Sequence, residues 1–306
     1  MISVAMATYN GEKYIIEQLD SIRNQSLTPD EVVICDDRST DHTVSLIETY
    51  IDKYSLNGWQ IHVNEQNLGY INNFWKAILL TRGDYIFLSD QDDVWMNNKI
   101  EMMVGIMKKN DALMLHTEVD VIDNEHNIIR KSMNKLPEGL QKVNYREYLR
   151  KSHYCGMSSA MSGKIRKLML PLATSSFPTH DWCLGFLASS NYGFYTFGTV
   201  FSLRRSHGNN AALNLDAVQR QGIPQRIQTI EQYQALYNSA LEILKNNSQD
   251  PIIYSTVCQF IKVNEIRKDY LIKRSIINAI VNLRFLRWYP SIKAWFSDLL
   301  YIIGAF

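Results

Sequence analysis

The feature that most narrows the fold is a repeated switch of hydrophobic period over the first hundred residues. Short apolar runs alternate with segments in which apolar residues recur every three or four positions. The runs are ISVAMA (2–7), EVVIC (31–35), a stretch near Gln60–Asn64, and YIFLS (85–89). Ile15, Leu19 and Ile22 mark the first helical segment, and Trp75 and Leu79 mark the third. Alternation at this spacing predicts βαβ crossovers and an α/β fold with a mainly parallel sheet flanked by helices. Ligands of such sheets bind beyond the carboxyl ends of the strands. Three of those ends carry polar clusters: Tyr9 and Asn10, Asp36 to Asp41, and Asp90 to Asp93. Asn10 is placed to N-cap the first helix. No GxGxxG follows the first strand, which counts against a dinucleotide fingerprint, and the absence of GxxxxGK[ST] excludes a Walker A loop.

Further along, ALMLH (112–116) reads as a strand and VDVIDNEHNIIR as a hairpin turning at Asp123–Asn127. CGMSSAMSGKI (155–165) and FYTFGTVFSLR (194–204) read as further strands, and WCLGFLASS after His180-Asp181 as a helix. From about residue 216 the pattern is amphipathic and helical, so we expect an α/β domain over 1–215 and a helical region over 216–306. Lys plus Arg (32) nearly balances Asp plus Glu (31), which leaves no global electrostatic footprint for nucleic acid. Cys35, Cys155, Cys183 and Cys258 lack CxxC spacing, which argues against zinc and fits a reducing compartment. No secretory signal and no bilayer-length apolar run is evident, so the expectation is a cytoplasmic protein, soluble or peripheral on the inner face of the membrane.

The clusters suggest chemistry. Asp90, Asp92 and Asp93 follow a buried strand within four residues, and packed carboxylates repel unless a hard cation joins them. A metal–diphosphate site with Mg²⁺ or Mn²⁺ is one reading. The other is that Asp93 caps a helix over Val94–Met107 and the remaining acids are solvated. Asp36 and Asp37 can accept hydrogen bonds from a base or ribose, or simply suit a helix start capped by Ser39 or Asp41. Tyr9 can stack on a base or pack. Asp181 at a helix start is a cap on its own terms, whereas His207 with Arg204 and Arg205 can clamp a diphosphate, add a metal ligand, or simply be a surface histidine.

Taken together and in order, VAMATYNGEKYI, VVICDDRSTDHT, NLGYINNFWKAI, GDYIFLSDQDDVW, HDW before an apolar helix, and RRSHGNN resemble the family 2 glycosyltransferases with the GT-A, Rossmann-like fold. The wording FLSDQDDVW with later HDW and HGNN is similar to bacterial rhamnosyltransferase-like enzymes of surface polysaccharide synthesis. The match covers residues 1 to about 210.

The resemblance implies an inverting transfer of a single sugar from a nucleoside-diphosphate sugar, such as dTDP-rhamnose or a UDP-sugar, to a hydroxyl of a glycan or lipid-linked saccharide. It implies that Ala7 (through its backbone), Tyr9 and Asp37 contact the base, and that Asp90 approaches the ribose or the metal's outer shell. Asp92 would be the principal metal ligand, Asp181 the general base, and Arg205 and His207 a segment closing on the diphosphate or metal. The QxxRW of processive synthases is missing, so single addition is expected. A nucleotidylyltransferase would need a glycine-rich basic loop after the first strand, and ATYNGEKY offers only Gly11 and Lys13. A non-catalytic nucleotide-sugar-binding module would be expected to lose positions such as Asp92 or Asp181. In the tail, Lys268, Lys273, Arg274, Arg284, Arg287 and Lys293 mingle with Ile276, Ile280, Leu283, Trp288, Trp295 and Phe296. That mixture suits helices on an anionic membrane surface, a homodimer interface, or a tail packed on the preceding domain.

Overall fold

The computed structural model describes residues 1–150, 154–170, 178–207, 222–247 and 250–304. They fall into two compact units, one drawn from 1–143, 153–174 and 179–211, the other from 144–152, 175–178 and 212–306. The boundary expected near 215 lies outside the described residues.

The first unit is built on a ten-stranded sheet. Its strands are β1 (Ile2–Thr8), β2 (Glu31–Asp36), β3 (Trp59–Val63), β4 (Tyr85–Ser89), β5 (Val94–Trp95), β6 (Met114–Ile122), β7 (Ile128–Arg130), β8 (Leu140–Lys142), β9 (Ser159–Ser162) and β10 (Phe194–Arg205). The main order is β3-β2-β1-β4-β9-β6-β10-β5, with β7 on β6 and β8 on β10. Neighbours among β3, β2, β1 and β4 are parallel, and so are β6 and β10. Because β9 is antiparallel to both β4 and β6, all six of these strands point the same way and end at one edge.

The helices of this unit are α1 (Ile15–Arg23), α2 (Thr43–Tyr54), α3 (Tyr70–Leu80), α4 (Lys99–Asn110), α6 (Gly163–Met169) and α7 (His180–Ser190). Val4, Ala5 and Met6 of β1 are fully buried, as a central strand covered on both faces requires. Ile15, Leu19 and Ile22 give α1 one fully buried stripe in the same core as Val4, Met6, Val32 and Ile34. Each such side chain contributes about 1.5–3 kcal/mol of burial.

Three local expectations are corrected. Asn10 does not cap α1, whose N-terminal neighbour is Tyr14 without a side-chain cap. Asn10 instead takes a left-handed φ of 49° and accepts the Thr40 N–H at 2.8 Å. Val94 and Trp95 are not helical, because β10 offers them an antiparallel partner; the helix starts at Lys99, so Asp93 is no cap. Residues 155–165 hold a 3₁₀ turn (Gly156–Ser158), the short β9 and the start of α6 rather than one strand.

The second unit contains α5 (Tyr145–Arg150), α8 (Ile223–Asn247), α9 (Pro251–Ile272), α10 (Ile276–Val281), a 3₁₀ segment (Asn282–Trp288) and α11 (Ile292–Ile302). Sequence reading placed 145–150 in the first domain. Hydrogen bonds tie α5 to the helical unit instead: Tyr237 Oη donates to the Leu149 carbonyl at 3.1 Å, and Arg150 Nε donates to the Tyr289 carbonyl at 3.0 Å. The Asp250 carboxylate accepts the Ile252 and Ile253 N–H groups, and Pro251 follows it at the first helical position. Buried Asp298 of α11 joins three helices. It receives Arg226 at 2.6 Å, Arg267 at 3.0 Å and the Tyr270 hydroxyl at 2.7 Å.

Candidate active site

The shared strand edge gathers the polar clusters. After β4 come Asp90, Asp92 and Asp93, whose carboxylate oxygens lie within 4.8 Å of one another. Antiparallel pairing of β5 with β10, Leu203 opposite Val94, carries the end of β10 to the same place. His207 Nε2 therefore sits 2.7 Å from Asp92 Oδ2 although the two residues are 115 positions apart. The His207 ring stacks on Tyr14, centroids 5.0 Å apart.

The electrostatics are those of carboxylates short of positive charge. Burial and then the charge of Asp92 push Asp90 up to about 7. Burial, then Asp92 and Asp90, hold Asp93 well above the carboxylate range. Asp93 Oδ1 accepts the Arg205 N–H at 3.1 Å, while its buried Oδ2 has no hydrogen-bond partner among the described residues. An orphaned buried oxygen beside two further carboxylates is a donor set for a hard divalent cation. Lys99 lies underneath, fully buried, donating to the Met157 carbonyl at 2.7 Å and Ser202 Oγ at 2.8 Å. Burial drives its pKa well down, and the charges of Asp93 and Asp90 oppose that fall.

Tyr9 is 48% exposed at the end of β1, free to present its ring. Its backbone is clamped by one side chain: Gln91 Oε1 accepts the Tyr9 N–H at 2.8 Å, and Gln91 Nε2 donates to the Tyr9 carbonyl at 3.0 Å. Gly11 makes room for this clamp, since a Cβ there would lie 2.3 Å from Gln91 Oε1. The β1 loop is also stitched to the β2 loop. Asn10 N–H donates to Ser39 Oγ, Gly11 N–H to Thr43 Oγ1 and Glu12 N–H to Asp41. Ala7 is half-buried, paired with Cys35 in the sheet.

Two predicted binding residues are already committed within the protein. Asp37 is buried and accepts Leu68 N–H at 2.7 Å, Gly69 N–H at 2.8 Å and Asn64 Nδ2 at 2.9 Å, holding the loop before α3. Arg205 is only 1% exposed. Its guanidinium donates to Glu17 at 2.6 Å, the Asp92 carbonyl at 3.2 Å and the Asp123 carbonyl at 3.1 Å. It shapes the floor on which Asp92 rests. Arg204, half-buried beside it, is the guanidinium whose charge opposes the rise of Asp90 and Asp93.

Asp181 lies in the first turn of α7, whose N-cap is Thr179. Its Oδ1 accepts the Trp182 N–H at 2.8 Å, and its charge reaches Asp90. His180 beside it is buried against Phe74, ring centroids 4.3 Å apart, and burial lowers its pKa. A Cβ on Gly156 would come within 3.3 Å of His180 Nε2 and 3.6 Å of the Asp181 Cβ, so the 3₁₀ turn packs closely under this residue pair. Of the RRSHGNN segment, Gly208, Asn209 and Asn210 lie outside the described residues.

Sequence reasoning missed Gln91, Lys99 and Tyr14. Gln91 stands inside the noticed DQDD run, but its partner is backbone, which leaves no sequence trace. Lys99 in the first turn of α4 and Tyr14 in the turn before α1 look ordinary in sequence until the fold buries the one and stacks the other.

A family model of glycosyl transferase family 2 matches residues 3–166. WfgD of Escherichia coli, a UDP-Glc:alpha-D-GlcNAc-diphosphoundecaprenol beta-1,3-glucosyltransferase, is 25% identical over 216 residues, 70% of this chain and 80% of the relative. RfbG of Shigella flexneri, a dTDP-rhamnosyl transferase, is 30% identical over 218 residues, 67% of this chain and 72% of the relative. Among solved structures, TarS 1-349 of Staphylococcus aureus in complex with UDP-GlcNAc aligns at a TM-score of 0.64. That alignment spans 99% of this chain and 91% of TarS at 16% identity, a likeness of fold.

Proposed function

The chain belongs to glycosyl transferase family 2, and from that premise we propose an inverting, metal-dependent transfer of one sugar from a nucleoside-diphosphate sugar to a hydroxyl of a glycan or lipid-linked saccharide, in the building of bacterial surface polysaccharide. The observation that carries this reading is the convergence of three carboxylates and His207 on the strand edge where the Tyr9 ring stands exposed. The activities of RfbG and WfgD make dTDP-rhamnose and UDP-sugars the first donors to examine.

Asp92 and Asp93, with His207, would hold Mg²⁺ or Mn²⁺, and the orphaned Asp93 oxygen fits that role. The cation supplies charge neutralisation for the departing diphosphate. Tyr9, fixed by the Gln91 clamp, offers its ring as a stacking platform for the base. The acceptor oxygen bonds to the sugar's anomeric carbon as the bond to the diphosphate breaks, and Asp181 takes the acceptor proton. Helix α7 holds that carboxylate through the Trp182 N–H, leaving the second oxygen for the proton. Single displacement inverts the anomeric centre without an enzyme nucleophile.

We place the enzyme at the inner face of the cytoplasmic membrane. Among the described residues no helix is long and apolar enough to cross a membrane. In the helical unit, however, Ile277 is 75% exposed, with Ile276, Ile280 and Leu283 also exposed. Lys273, Arg274 and Arg284 border them, which is the composition of an element lying on anionic lipid.

A donor screen tests the function. Purified protein, Mg²⁺ or Mn²⁺ and a panel led by uridine- and thymidine-linked sugars should release nucleoside diphosphate from at least one donor once a saccharide acceptor is added. Silence across the panel with diverse acceptors would count against the reading.

A further inference from the structure

The helical unit contains a cavity of about 600 Å³ that the proposed reaction does not use. Arg146 and Arg150 of α5 line it together with Arg287, and Phe260 and Trp288 form an apolar wall, their rings 5.2 Å apart and perpendicular. Its size lies within the range of small-molecule sites, roughly 300–1,000 Å³. Three guanidinium groups around one space are mutually repulsive. The single carboxylate in the lining, Glu147, makes no ion pair with them among the described contacts. Arg146 and Arg287 have no carboxylate partner among the described residues; their groups stand near the rings of Tyr145 (5.8 Å) and Trp288 (5.0 Å). Arg150, which also lines the cavity, is held by its Nε bond to the Tyr289 carbonyl.

We propose that this cavity is an anion site that takes a phosphate or diphosphate group, built from residues other than those of the carboxylate cluster. Planar guanidinium forks match the paired oxygens of phosphate and satisfy several of them at once. The aromatic wall suits whatever apolar or sugar face adjoins that group. Such chemistry is found on a phosphorylated saccharide and on a lipid headgroup alike, and experiment separates the two.

Inorganic diphosphate titrated by calorimetry, with chelator present so that no cation bridges it to the carboxylates, should bind at one site. Affinity should weaken at least tenfold between low and moderate salt, and at least tenfold in the Arg146→Gln, Arg287→Gln double variant. Both side chains are exposed and have no hydrogen-bond partner among the described residues, so the fold should be kept; an unchanged melting curve checks this. Asp92→Asn should leave the isotherm as it is. Displacement by glucose 1-phosphate would assign the site to saccharide phosphates, and displacement only by soluble dihexanoyl phosphatidic acid would assign it to lipid; both support it. An isotherm identical in the double variant, or abolished by Asp92→Asn alone, would overturn the proposal.

Discussion

Asp181 can serve as a base or as a helix cap, and one substitution separates the roles. Asp181→Asn keeps the acceptor for the Trp182 N–H but cannot take a proton. We expect kcat to fall by about 10²–10⁴-fold while donor affinity, read by calorimetry, barely moves. A loss of stability with near-normal turnover would assign capping instead. Asp90 offers a second test, through pH. Its pKa in the folded chain, about 7, is above the unfolded carboxylate range, so folding disfavours its charge. Stability is full at low pH on this account and falls as pH rises through about 7. Asp90→Asn should therefore stabilise the protein in chelator at pH 8 by about 1–3 kcal/mol and little at about pH 3.5, below the unfolded carboxylate pKa. Saturating Mn²⁺ should abolish that advantage. Tyr9, Asp92 and His207 were legible as candidate residues because their types sit where strands of an α/β sheet end, and the structure brings Asp92 and His207 together there. Asp37 and Arg205 were legible as residues at that edge, but what they touch was not, because their partners are backbone groups and residues as far as 188 positions away.

Among the elements, strands and helices of the first hundred residues could be read because central strands buried on both faces leave continuous apolar runs, and helices leave period-3.6 stripes. The failures share a cause. Val94–Trp95 became a strand because β10, a hundred residues later, pairs with it. Asn10 gave up capping because Thr40, on the neighbouring loop, uses its carbonyl. Helix α5 joined the second unit through hydrogen bonds to Tyr237 and Tyr289. Long-range pairing leaves no local mark. The helical unit depends on a similar pairing at Asp298. Burial alone would raise its pKa, but Arg267, Arg226 and Tyr270 outweigh that and hold it below the usual range. Its stabilisation is present above the unfolded carboxylate range and is lost as pH falls through the lowered value. Asp298→Ala should strand Arg267 and cost about 3–5 kcal/mol at pH 7, measured by urea unfolding. A loss below about 1 kcal/mol would mean that solvent reaches the arginine.

For the whole molecule, the proposed function assigns the two units separable tasks: chemistry at the strand edge, and membrane attachment through α10 and its basic border. Ile277→Asp with Ile280→Asp should release the chain from anionic vesicles in sedimentation while donor turnover with a soluble acceptor stays within about twofold. Unchanged vesicle binding, or a shift from dimer to monomer in its place, would reassign that face to a second copy. The central claim is that the carboxylate cluster works through a divalent cation to drive sugar transfer. Its most direct measurement is nucleoside diphosphate release by wild type and Asp92→Asn across a cation titration that starts in excess chelator. We predict no turnover in chelator, recovery with Mg²⁺ or Mn²⁺, and a loss of at least about 100-fold in Asp92→Asn with a melting temperature no lower than that of wild type. Full turnover in excess chelator would contradict the account.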